Sequence, residues 1–496
     1  MNFHRIIISA AVAAFLVFGS LSAFGGKTDS PRREFRGAWL HTVYQEGYHK
    51  RSTAENKKYL RRQLDSLKLA GINAVIFQVR PQSDAFYDSK YEPWSRFLTD
   101  NGKAPVPMWD PLAFMVEEAH ARGMELHAWL NPYRVTTSSK QTLPAGHIYH
   151  KHPERFIRYD GKLYFDPGMP ENRKFITDIV GDIITRYDVD GIHFDDYFYP
   201  YPVKGVQFKD NKSYARYGKG KKLADWRRSN VDKLIEDIHN MIAARKPWVR
   251  FGISPFGIWR NKRTDPRGSE TTGLENYDAL YADPLLWAEK GWIDYQMPQL
   301  YWDLKHKAAS YLVLVDWWNK NSRGRHVYVG QDVDRTMKFA DINGSKEKSQ
   351  LRHKVTLTRK AENIQGNCWW PGYLVTANES GVADSLITDL QSKRALVPSY
   401  PWILNEEPPA VTGFKEDRGT LSWKAPKPKE RVSDTEKFVV YRLNGKMRKF
   451  DLDRDAEIVD VTYKFNYTPS EPGYYVVTAL DRVNNESQPT RPVHIR

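Results

Sequence analysis

Cysteine is almost missing from this chain. Cys368 is the only one in 496 residues, so no intrachain disulfide can form, and the fold must rest on an apolar core that a chain of this length can supply. No Gly-rich phosphate loop opens a helix, and no histidine spacing supports a metal site. No metal or cofactor is therefore expected. Dense basic runs are also scarce: Lys219-Gly220-Lys221-Lys222 is short, sits among glycines and reads as a solvated loop. The one long apolar run, Ile6 to Phe18, is too short for an ordinary membrane span. It follows His4 and Arg5 and precedes the small residues Gly19, Ser20, Ser22 and Ala23, which is the pattern of a secretory signal peptide over residues 1–26. The mature chain is then expected to carry no stable membrane span. It would be exported to the periplasm or cell envelope, or outside the cell.

The charge is far from balanced, at +15. A basic surface suits an anionic partner such as nucleic acid, a membrane surface or an acidic wall polymer. Export argues against nucleic acid and leaves the wall. Aromatic residues make up 13% of the chain, with 16 Trp and 28 Tyr, and they gather near the ends of candidate strands. Sugar rings stack their apolar faces on such side chains, so a glycan partner is one reading. Filling of a large core is the other.

From residue 35 to about 400, short apolar segments alternate with helical patterns. The strand candidates are 35–42, 72–80, 124–133, 189–197, 250–257, 293–301, 326–332 and 366–375. Helices are predicted over 56–70, 111–122, 172–187, 225–244, 279–290, 310–321, 348–361 and 382–393. Gly71, Gly123 and Gly291 stand where helix ends turn into strands. Eight strand–helix pairs in this order argue for a (β/α)8 TIM barrel, an α/β fold, with a doubly wound sheet as the competitor. Long connections such as 81–110 and 134–171 suit active-site loops. After Tyr400-Pro401 the pattern changes to alternating strands, as in Thr420-Leu421-Ser422-Trp423 and Tyr474 to Asp481. Residues 405–496 thus read as an all-β sandwich, and their Leu-x-Trp and Tyr-x-Val-Thr-Ala-x-Asp elements resemble a fibronectin type III domain. Asn405 to Pro409 reads as a linker, which predicts that removing 405–496 leaves a folded, active barrel. The competing reading packs the sandwich on the barrel.

In a TIM barrel, polar residues at the carboxyl ends of strands face the substrate. The fourth strand candidate ends in two adjacent carboxylates, Asp195 and Asp196, followed by Tyr197. Such a pair builds a core poorly but suits an acid beside an anion, since each charge raises the pKa of the other. Other strand ends supply Gln78 and Arg80; Trp129, Asn131, Tyr133 and Arg134; Ser254 and Trp259; and Gln299, Tyr301 and Trp302. These are the candidate substrate-binding residues. Trp369 and Trp370 are further candidate sugar platforms. His127 and His193 read as core histidines, and Asp303 and Asp332 as reserve candidates for a second carboxylate.

These segments, with Gly37-Ala38-Trp39 and Phe165-Asp166-Pro167-Gly168, closely resemble the glycosyl hydrolase-like 10 family from about residue 36 to 373. The resemblance implies a barrel acting on glycans, with the family's Asp pair on Asp195 and Asp196. Bacterial members that trim denuded peptidoglycan strands make peptidoglycan the implied substrate. The pair also resembles that of O-GlcNAc hydrolases, and Met297-Pro298-Gln299-Leu300-Tyr301 resembles chitinase-type barrels. Both imply that the substrate acetamide is the nucleophile, with Asp195 orienting it, Asp196 as acid/base and Tyr301 bonding its oxygen. The expected protein is an exported glycoside hydrolase acting on an N-acetylated polysaccharide. A double-displacement glycosidase using Asp303 or Asp332 is one alternative. A barrel that binds glycan without cleaving it is another, kept open by the scarcity of Glu at strand ends.

Overall fold

A computed structural model describes residues 30–45, 47–99, 102–427 and 434–496. The export segment expected at 1–26 lies outside the described residues. Eight parallel strands close into a barrel: β1 (Phe35–Leu40), β2 (Ala74–Arg80), β3 (Glu125–Leu130), β4 (Gly191–Phe194), β5 (Arg250–Ile253), β6 (Tyr295–Gln296), β7 (His326–Asp332) and β8 (Gly366–Trp370). Each pairs with its sequence neighbours, and β1 closes the ring on β8, with Ala38 opposite Trp369. The strands are buried on both faces, which is why they read as unbroken apolar runs rather than alternating ones. Helices such as Thr53–Leu69, Pro170–Arg186 and Leu223–Arg245 lie between successive strands. The first of them starts in a capping box, with Ser52 and Glu55 satisfying each other's backbone N–H groups. Gly71, Gly123 and Gly291 hold φ near +80, +69 and +74 at the helix-to-strand turns, the left-handed conformation expected there.

The strands are shorter than their apolar runs. β4, β5 and β6 stop at 194, 253 and 296, and the residues just past them become loop. The eighth run, expected to 375, breaks after Trp370. Pro371 has no N–H for a ladder, and it starts the helix Gly372–Thr376 instead. The long connection after β3 carries a hairpin, Phe156–Tyr159 with Lys162–Phe165, which the sequence pattern did not predict.

Residues 412–495 form two antiparallel sheets. β11 (Thr435–Leu443) and β14 (Gly473–Asp481) are the centre of a four-stranded sheet, with β12 (Ala456–Thr462) and β15 (Val493–Ile495) at its edges. β9 (Thr412–Asp417), β10 (Thr420–Lys424) and β13 (Asn466–Tyr467) make the other sheet. The side-chain period of two sorts the central strand cleanly. Phe438 and Val440 pack with Leu421, Trp423 and Val477 between the sheets. Val439 and Tyr441 point the other way, to a second apolar cluster that includes Leu396 of the barrel unit.

That second face closes the amino end of the barrel. Lys437 reaches Glu125, the first residue of β3, at 3.3 Å, and Asn484 donates to the same carboxylate at 2.8 Å. The backbone carbonyl of Arg482 accepts from Arg250 at 2.7 Å, and the ring of Tyr463 stacks on His120, with centroids 4.7 Å apart. A Cβ on Gly123 would lie 2.1 Å from the carbonyl oxygen of Val461, so the two units meet there with no room for a side chain. The linker reading of 405–409 did not anticipate this contact. The unbroken apolar run Phe438 to Tyr441 in β11 was a sequence signal for it, because it makes both faces of that strand apolar.

Candidate active site

At the opposite, carboxyl end of the barrel the loops leave a cleft of about 300 Å3. Asp195 and Asp196 follow directly on β4 and form its floor, both almost wholly buried. They have different surroundings. Asp195 is held on three sides: Trp129 Nε1 donates to it at 3.2 Å, Asn131 Nδ2 reaches its two oxygens at 2.9 and 3.2 Å, and the Tyr197 backbone N–H lies at 3.5 Å. Burial raises its pKa, and the Arg134 charge with these donors holds the rise back. Asp196 accepts from the Tyr201 hydroxyl and faces the Gln299 amide. Burial and then the Asp195 charge push it up to about 7, against the lowering effect of those two donors. Donors thus favour the charged form of Asp195, while its neighbour titrates near neutrality, which is the division of labour that acid/base work at a glycosidic oxygen needs.

The cleft walls are aromatic. Trp129 meets Trp370 edge to face at 5.9 Å, and His41 lies against Trp370 at 4.7 Å. Tyr197 is 38% exposed at the rim, with the Arg134 guanidinium over its ring at 4.9 Å. Tyr44 stands 64% exposed on the same rim. The Tyr301 ring lines the cleft, and burial raises its phenol pKa well above the usual value, so it is a neutral donor. Gln78 lines the cleft too: its side-chain oxygen accepts from the N–H groups of Thr42 and Val43, and its buried amide nitrogen has no protein partner.

With a buried acid, a charged neighbour and aromatic walls in one cleft, comparison with known proteins decides the class. The family model described as Glycosyl hydrolase-like 10 matches residues 34–344. The chain belongs to the glycosyl hydrolase-like 10 family. Glycosyl hydrolase YngK of Bacillus subtilis is 38% identical over 504 residues, covering 98% of each chain. Glycosyl hydrolase DigH of Escherichia coli K12 is 42% identical over 330 residues, covering 61% of this chain and 74% of that one. Among solved structures, the PgaB glycoside hydrolase domain from Bordetella bronchiseptica is similar at 13% identity and a TM-score of 0.47, over 71% of this chain and 98% of that one. The reaction class is hydrolysis of an O-glycosyl bond.

The matched residues span seven of the eight barrel strands, and most of the strand-end candidates meet in the cleft. Gln78, Trp129, Arg134, Asp195, Asp196, Tyr197, Ser254, Gln299 and Tyr301 all line it. Asn131 sits behind Asp195 and acts through it. Four candidates lie elsewhere. Arg80 is wholly buried in a two-pronged ion pair with Glu92, at 2.6 Å for each bond. Tyr133 is wholly buried. Trp259 donates to Asp283 and stacks on Trp317. Trp302 packs edge to face on Phe256. Arginines and aromatics at strand ends thus serve loop packing as readily as substrate. Trp369 is likewise buried, whereas its neighbour Trp370 lines the cleft.

The reserve carboxylates are also occupied elsewhere. Asp332 caps the helix Val333–Lys338, and Asp303 accepts from Gln350 at 2.6 Å. Among the described residues, only Asp195 and Asp196 bring carboxylates to the cleft, and no cluster of His, Cys, Asp and Glu is arranged to hold a metal ion. Sequence reasoning missed Trp39, His41 and Tyr44, although the strand-end rule applied to β1 points to them. It missed Tyr201 because that residue lies five positions beyond Asp196, past Pro200, and only the loop's fold returns it.

Proposed function

We propose that this protein cleaves an N-acetylated glycan, the glycan strands of peptidoglycan, with the substrate acetamide as nucleophile. The observation that carries the reading is the adjacent Asp195–Asp196 pair without a third carboxylate in the cleft among the described residues. A double displacement needs a nucleophile and an acid on opposite sides of the scissile bond. Two consecutive residues at one strand end are poorly placed for that, and Asp303 and Asp332 are engaged elsewhere. In the proposed mechanism Asp195, whose charged form Trp129, Asn131 and Arg134 favour, accepts from the acetamide N–H and turns its oxygen toward the anomeric carbon. Asp196 gives its proton to the leaving oxygen and afterwards takes one from the attacking water. Tyr301 donates to the acetamide oxygen. Trp129, Trp370 and Tyr197 supply faces for the sugar rings.

The chain's surplus of cations fits an anionic wall. Export by a leader over residues 1–26, and a fibronectin type III character for 405–496, belong to the same proposal. The test is product analysis on three substrates: peptide-free glycan strands, intact sacculi, and a chitosan from which the acetyl groups have been removed. Cleavage of the first and not of the third is expected. Efficient cleavage of the deacetylated polymer would overturn acetamide assistance.

A further inference from the structure

A file of buried polar side chains runs down the barrel axis from the cleft to the base. At the top, the Trp39 indole Nε1 lies 3.2 Å from His193 Nε2, and the Ser254 hydroxyl lies 3.0 Å from the same nitrogen. His193 Nδ1 is 3.0 Å from the Tyr295 hydroxyl, which is 2.9 Å from His127 Nδ1. His127 Nε2 is 3.1 Å from Glu125, the residue the C-terminal unit grips through Lys437 and Asn484. The barrel makes room for this file. A Cβ at Gly252 would stand 2.0 Å from the Tyr295 ring, and one at Gly191 would stand 2.5 Å from His127 Nδ1.

The two ends have fixed polarity, so every proton between them is fixed. An indole N–H can only donate, which makes His193 Nε2 an acceptor. Burial keeps His193 neutral, so its one proton sits on Nδ1 and points at the Tyr295 oxygen. Tyr295 then has its own proton free for His127 Nδ1. His127 carries its proton on Nε2 and gives it to Glu125. Burial alone would raise Glu125, but Arg250 and Lys437 hold it well below the usual range, so it is an acceptor only. The proton positions come out the same from the Trp39 end and from the Glu125 end.

We infer that this file fixes Ser254 as a hydrogen-bond acceptor toward the substrate, and so makes it a specificity-determining residue. The protein neighbours of its hydroxyl are His193 Nε2 and, at 3.4 Å, the Phe194 carbonyl. Both can only accept, and the Trp39 indole and the serine share the one lone pair of Nε2, so the serine proton turns inward between Nε2 and the Phe194 carbonyl. Its lone pairs face the cleft, which Ser254 lines. The group it reads is a hydrogen donor on the bound sugar, an amide N–H or a hydroxyl. An ether or a carboxylate at that place is rejected. His193, Tyr295, His127 and Glu125 are positioning residues that act through Ser254. The identity of the sugar rests on the function proposed above; the polarity of the file does not.

Two measurements test this on the full chain. Nitrogen-15 NMR of histidine-labelled protein reads the tautomers directly. His193 is expected on Nδ1–H and His127 on Nε2–H, and Tyr295→Phe should shift and so identify both sets of signals while leaving His193 on Nδ1–H, because Trp39 still donates to its Nε2. His193 protonated on Nε2 in the wild-type protein would overturn the polarity. The second is calorimetric binding of an N-acetylglucosamine tetramer to Asp196→Asn protein, with and without Ser254→Ala. A loss of about five- to tenfold in affinity is expected for one neutral hydrogen bond. Equal binding with and without the serine would end the specificity role alone. No binding by either protein would end both that role and the proposed substrate.

Discussion

Both ends of this barrel bury carboxylates, and they treat them in opposite ways. At the amino end, Glu125 meets Arg250 at 2.7 Å and Lys437 at 3.3 Å, and Asp190 meets His120 at 2.9 Å. Burial alone would raise both acids, yet these cations hold them low. At the carboxyl end, no cation comes within ion-pair distance of Asp195 or Asp196 among the described residues. Burial prevails there, and both acids are raised. Neither burial nor a raised pKa by itself marks a catalytic site, since Glu436 at the base is also pushed up to about 7, by burial first; what sets Asp195 and Asp196 apart is that they are raised, unpaired by a cation and open to a cleft. A paired acid anchors structure, because removing one partner would strand a charge. Asp196, unpaired by a cation and raised to about 7, holds a proton it can give away.

The sharpest way to break that contrast is to remove the raised acid. Asp196→Asn should lower kcat on peptide-free glycan strands by about 10²–10⁴, and Asp195→Asn by a similar factor, with both proteins folded. In the wild type, activity should fall as pH rises through about 7, where Asp196 loses its proton. Steady-state rates across pH check both points. Near wild-type turnover in the two variants would remove the pair from the chemistry.

The other end is broken by deleting residues 405–496. Lys437 and Asn484 leave Glu125, the Arg482 carbonyl leaves Arg250, and the apolar face of Val439 and Tyr441 leaves the barrel. Glu125 keeps Arg250, but the base loses these hydrogen bonds, at about 1 kcal/mol each, and uncovers its apolar surface. The truncated chain is therefore expected to melt more than about 10 °C lower, or to aggregate, by scanning calorimetry. A barrel that keeps its melting temperature and its turnover on short glycans would restore the linker reading of Asn405 to Pro409.

How far the sequence could be read differs in the same way between the two ends. The barrel was legible because eight apolar runs, the helical patterns between them and glycine-ended helices all point one way. The Asp pair was legible because charge at a strand end has no other easy explanation. Arg80 and Trp259 misled because a strand-end arginine can face Glu92, and a tryptophan can face Asp283, as well as a sugar. The base of the barrel was hidden for a different reason. Glu125 and Lys437 lie 312 residues apart, and nothing local in either segment reports a pairing made by tertiary packing. Tyr201 was hidden by loop geometry.

A gentler comparison uses stability instead of rate. Asp196 has its folded pKa raised from 3.8 to about 7, so the folded state binds this proton more tightly than the unfolded state. Its contribution to stability is fully present below pH 3.8 and is lost as pH rises toward 7. Asn at this position carries no charge to desolvate. Asp196→Asn should therefore raise the melting temperature at pH 8 by several degrees while leaving it nearly unchanged near pH 4. Removing a base carboxylate should do the reverse at pH 8, since Glu125 is held low and its ionised form supports Arg250. Glu125→Gln is expected to lower the melting temperature there. If both variants shift it in the same direction, the two ends do not differ as described.

The finest change leaves both acids in place and alters one donor. Tyr201 gives its proton to Asp196 and steadies the ionised carboxylate, so it holds the pKa below where burial and Asp195 would otherwise put it. Burial and the two aspartates in turn raise the Tyr201 phenol far above the working range, so it stays a donor throughout. Tyr201→Phe removes the hydroxyl and keeps the ring that packs on Tyr197 and Phe256. The basic limb of the pH–rate profile should then move upward by about one unit, the size expected for a hydrogen bond to a charged group. On the acidic side of that limb, kcat should stay within about threefold, because the proton donor itself is untouched. A basic limb that stays at about pH 7 would mean that some other group controls it. A limb that moves upward ties the titration to Asp196, since no other acid in the cleft contacts this tyrosine.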